Sequence, residues 1–127
     1  MPVHNLWHDI GVVEALNDVW LNKPALFPRS EPEVVQEGSA HWRVLLRNAR
    51  EAFGDERTQR KQYEQYVTEF LQFRHAIALT DKENPQLRDQ PGYEHAYDRT
   101  TAALKHIVST VRLHILLLDL QALVADG

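Results

Sequence analysis

The chain has 127 residues, 43% of them hydrophobic and 25% charged, with a net charge of −4. That size suits one domain with a core of its own, and the charge gives no general case for nucleic acid or an anionic membrane as partner. There is no cysteine, which excludes disulfides, thiol catalysis and thiolate metal sites. The first residues lack the basic segment and apolar run of a secretion signal, so a cytoplasmic protein is the expectation.

Leu6, Ile10, Val13, Leu16 and Trp20 recur at helical spacing behind Asn5, a candidate cap. This first helix is expected to stop near Asn22, because Pro24 disfavours helix at Lys23. Ala25-Leu26-Phe27, between two prolines, reads as an extended connector whose Leu and Phe plug the end of the core. Ser30-Glu31-Pro32-Glu33 is a helix start with the elements of a capping box. The second helix should run to Phe53, with Val35, Trp42, Leu46, Ala49 and Phe53 inward and Gly38-Ser39 marking a crossing or bend. Gly54 stops it and Asp55 caps the next helix, predicted from Glu56 to Leu79 with Tyr63, Tyr66, Val67, Phe70, Phe73 and Ile77 as its inner face. A loop from Asp81 to Gly92 follows, with room for one helical turn at Asn84-Pro85-Gln86-Leu87.

The last helix is predicted from Tyr93 onward. Its seam is Tyr97, Thr101, Leu104, Val108, Val111, Ile115, Leu118, Ala122 and Ala125, opposed by a polar line of Asp98, Lys105, Arg112, Asp119 and Asp126. From Leu113 on, it is apolar around most of its circumference. His114, Asp119 and Gln121 interrupt the leucine-rich run, which is too short to span a bilayer, so no membrane association is expected. Leu113, Leu116, Leu120 and Leu123 make a second apolar stripe. Either this helix is the centre of one bundle or the stripe pairs with a second copy, and a homodimer is the expectation. No segment alternates like a strand, so the fold class is all-α: a four-helix bundle with several topologies open.

Three constellations bear on chemistry. Seven histidines are spread over the helices, which raises a metal or haem reading. His114 with Asp119 resembles the last ligand motif of the hemerythrin bundle, but that family also requires a carboxylate and a histidine where this chain has Leu45 and Leu79. Neither that set nor the Glu-x-x-His pairs of di-iron bundles is present, and His4 with His8 sits at a helix start that frays. No metal or cofactor is therefore expected.

Arg99 and His106 lie seven residues apart on one helical face, with Thr100 after the arginine. This resembles the Arg-x4-6-His motif of HEPN domains, all-helical dimers, many of them ribonucleases. The resemblance covers eight residues. It implies a metal-independent ribonuclease in which His106 is the general base and Arg99 holds the phosphate.

Charge layout is the third. Arg43, Arg47, Arg50, Arg57, Arg60 and Lys61 face only Glu51, Asp55 and Glu56 between residues 43 and 61. Either this is a docking patch for an acidic protein or it is a solvated face neutralised by pairs such as Arg47 with Glu51. With no phosphate loop, nucleophile triad or zinc signature, the expected function is a small non-catalytic helical interaction module, an accessory, antitoxin, immunity or phage-type regulatory protein.

Overall fold

A computed structural model describes residues 3–18 and 32–126. Four helices carry the fold: α1 (Val3–Leu16), α2 (Pro32–Phe53), α3 (Arg60–Glu83) and α4 (Tyr93–Asp126), with a 3-10 turn at Pro85–Asp89. No strand occurs among the described residues. The expected apolar position Trp20, the helix stop near Asn22, the Pro24–Pro28 connector and the Ser30 cap lie outside the described residues, as do the side chains of Glu33 and Val35.

α1 buries Leu6, Ile10, Val13 and Leu16, as their spacing requires. It begins at Val3, so Asn5 lies within its first turn and is not the residue before it. The helical pitch widens to a π-type turn at Asn17 and Asp18. α2 buries Leu45, Leu46, Ala49 and Phe53, and Trp42 stacks on Phe73 of α3 with ring centroids 4.5 Å apart.

The α2–α3 connection is longer than expected, and α3 starts at Arg60 instead of Glu56. The cause is local. The Asp55 carboxylate accepts the Arg57 backbone amide at 2.9 Å, and the Thr58 hydroxyl donates to the Ala52 carbonyl. Such side-chain bonds compete with helical ones and hold 54–59 in turns. The Gln62 side chain then accepts the Gln59 amide at 2.8 Å, closing the new helix start.

At its other end α3 runs past Leu79 to Glu83 and stops before Pro85. The buried Asn84 donates both its backbone amide (3.0 Å) and its side-chain amide (3.1 Å) to the Thr80 carbonyl. The short turn at Pro85–Asp89 is present and buries Leu87. Gly92, with φ +79°, makes the left-handed step into α4.

Side-chain contacts settle the topology. Trp7 and Asp18 of α1 meet Arg50 and Arg43 of α2, in reverse order along the chain. Trp42 meets Phe73 while Phe53 meets Tyr63, so α2 and α3 are antiparallel. Arg88, beyond the end of α3, pairs with Asp81, which also bonds Tyr93 at the start of α4. Arg60 at the start of α3 reaches Asp119 late in α4. The ring closes where Asp9 of α1 meets His106 of α4, and α1 ends near His95 and Arg99. The arrangement is up-down-up-down, with α4 between α1 and α3.

Candidate functional site

α4 changes character along its length. Tyr93, Thr100, Ala103, Leu104, Ile107, Val108 and Val111 are buried. Ile115 and Leu118 are half-buried at the edge of the core, and 120–126 are exposed on every side. The expected seam therefore holds through Leu104, Val108 and Val111 and fades at Ala122 and Ala125, which no neighbouring helix reaches. Ile107, Ala103 and Thr100 join it because α1 packs on α4 as well as α3 does, which widens the buried arc.

The second stripe lies on the far side. A rotation of about 100° per residue sets Leu113, Leu116, Leu120 and Leu123 about 120–200° around the helix from Val111. Leu113, Leu116, Leu120 and Leu123 are 57, 54, 49 and 69% exposed. Within one chain they are thus surface, and α4 is central only in its first half. The helix as a whole is long and apolar enough to cross a membrane: one 18-residue window has mean hydropathy 1.7, with 17% of it buried. The sequence expectation that this run is too short to span a bilayer did not count the helix upstream, with which it is continuous.

Two contacts fasten this half to the bundle. The Arg60 guanidinium bonds both carboxylate oxygens of Asp119 and also reaches Glu64. The hydrogen bonds from Arg60 hold the Asp119 carboxyl below the usual carboxylate range. The His114 ring stands edge-on to Tyr63 at 4.7 Å, and burial lowers its pKa. His114 and Asp119 thus face different partners, and among the described residues no group of three His, Asp or Glu could hold a metal ion. His41 and His75 are exposed, with His41 edge-on to Trp42.

The basic hairpin is largely paired within the chain. Arg43 bonds Asp18 at 3.0 Å, Arg50 bonds Glu14, Arg57 bonds Asp55 at 3.1 Å and Arg60 bonds Asp119. Arg47 and Lys61 are exposed and have no ion pair among the described residues; Arg47 does not pair with Glu51. Sequence reasoning missed Glu14 and Asp18 because they lie outside the basic segment, on a helix brought alongside only by folding.

Arg99 lines a cleft of 570 Å³ between α1 and α4, together with Trp7, His8, Arg50 and His95. His106 is not among its lining residues; its Nδ1 bonds Asp9 on α1. The two residues of the HEPN-like motif are therefore engaged separately, Arg99 at the cleft and His106 in a helix-to-helix pair. A carboxylate on one imidazole nitrogen can orient the ring, but it also fixes that nitrogen in a structural contact. The cleft was not foreseen, as its α1 residues have no sequence pattern linking them to α4.

Comparison of the chain with protein-family models, with curated proteins and with solved structures finds no match.

Proposed function

We propose that this protein is a small, non-catalytic helical interaction module that works as a homodimer through the exposed half of α4. The carrying observation is the row Leu113, Leu116, Leu120 and Leu123, more than two turns long and turned away from the core. Its steps of three, four and three are those of a coiled-coil seam, so two copies can interdigitate about a two-fold axis. Burying one leucine in such a seam contributes about 1.5–3 kcal/mol. An exposed contiguous row of this kind marks an association surface.

The hydropathy of α4 favours a second reading, insertion into a lipid bilayer. Asp119 argues against it: it interrupts the apolar run and pairs with Arg60 of α3, and a charged side chain inside a bilayer is costly.

Sedimentation at micromolar concentration tests the reading. The wild type should be dimeric, and Leu116→Glu with Leu120→Glu should give a monomer of unchanged helical content, with association weakened at least about a hundredfold. A monomeric wild type overturns the dimer. Flotation of the wild type with phosphatidylcholine vesicles would replace it with the membrane reading.

A further inference from the structure

The cleft between α1 and α4 differs in chemistry from the rest of the surface. Its floor is apolar, made by Val12, Ala15, Leu16 and Ala96. Its polar lining includes Arg50, Arg99, His8 and His95, and among the described residues no carboxylate lines it. Glu14 of α1 is held by Arg50. Arg99 is exposed and has no ion pair among the described residues, so its guanidinium fork is available to a ligand.

One wall is fixed before any ligand arrives. The Trp7 indole N–H donates to the Arg50 carbonyl at 3.2 Å, and its ring lies so close to Gly54 that a Cβ there would come within 3.1 Å. Gly11 opens the α1 side: a Cβ at that position would meet only the end of Arg50, at 3.9 Å. A volume of 570 Å³ with an apolar floor and a few convergent polar groups is the form of a small-molecule site.

We propose that this cleft binds a small apolar molecule bearing a single carboxylate, with the apolar body on the Val12–Leu16 floor and the carboxylate on Arg99. The site is independent of the dimer row, which lies farther along α4.

Calorimetric titration with octanoate, and with 1-octanol as the uncharged match, tests it. Saturable octanoate binding should exceed octanol binding. Arg99→Gln should weaken octanoate about tenfold, the worth of a charge-assisted contact. Gly11→Leu, which fills the cleft on a helix that tolerates leucine, should weaken both probes. The Leu116→Glu, Leu120→Glu variant should bind octanoate as the wild type does. Circular dichroism confirms that each variant is folded. Absence of saturable octanoate binding, equal affinity in Arg99→Gln, loss of binding in the leucine-row variant, or inorganic phosphate binding as tightly as octanoate would each overturn the proposal.

Discussion

The two halves of α4 have opposite fates, and the half richer in leucine is the one left exposed: one leucine and two valines lie upstream of Arg112, six leucines and one valine downstream. Upstream of Arg112, apolar residues such as Leu104, Ile107 and Val111 are enclosed by α1 and α3. Downstream, Leu113, Leu116, Leu120 and Leu123 remain on the surface, and only Ile115 and Leu118 touch the core. Both halves belong to one continuous helix, so the difference is one of coverage. α1 has 14 residues and α3 has 24, against 34 in α4. At about 1.5 Å per residue, neither neighbour is long enough to wrap the whole helix. What a sequence presents as one apolar helix is therefore a core element for part of its length and an interaction surface for the rest.

The sharpest way to test that division is matched truncation. Leu104→Ala, at a fully buried position, should cost about 2–5 kcal/mol in urea unfolding, through lost burial and the cavity left behind. Leu123→Ala should stay within about 0.5 kcal/mol in monomeric protein, as surface changes do. A comparable loss at both positions would mean that the second half is enclosed in the monomer.

Acidification should act on the second half through His114. Burial holds its pKa below the ordinary histidine value of about 6.5, so the folded chain resists protonation that the unfolded chain accepts. Its contribution to stability is present above that unfolded value and is lost as pH falls toward the folded one. Unfolding free energies at pH 7.5 and pH 5 should differ less in His114→Gln than in the wild type. Asp119, with its depressed pKa, loses its own contribution only lower, as pH falls below the ordinary carboxylate range. An unchanged pH dependence in the histidine variant would remove His114 as a source of the effect.

The smallest effect is expected from the Arg60 tether. The Arg60–Asp119 pair is exposed and screened by solvent, so Arg60→Gln should barely alter global stability. It should speed amide hydrogen exchange in 119–126 while leaving 100–111 unchanged, because local opening is governed by local contacts. Equal exchange in wild type and variant would show that Tyr63 with His114, not Arg60, fastens this segment.

Much of the fold was readable from residue order. The spacing of Leu6, Ile10 and Val13, the short turn at Pro85 and the start at Tyr93 each rest on interactions within a few residues, and each is observed, whereas the end of α3 was placed at Leu79 and lies at Glu83. The start of α3 was misplaced because Asp55 and Thr58 bond the backbone in a turn that competes with helix. Of the site, the exposed row was legible as a second stripe. The partners of Arg43 and Arg50, and the Asp9–His106 pair, were not, since they join residues 25 to 97 positions apart.

Sequence alone determined that the chain is helical, where α2 stops and α4 starts, and which residues make the apolar faces, because hydrophobic period, caps and prolines act locally. Tertiary structure alone decided the antiparallel order of the four helices, the pairing of the basic hairpin with Glu14 and Asp18, and the cleft at Arg99. It also decided which end of α4 is covered. Those outcomes depend on helix lengths and on the neighbours each face meets, and neither is encoded in the period of a single helix.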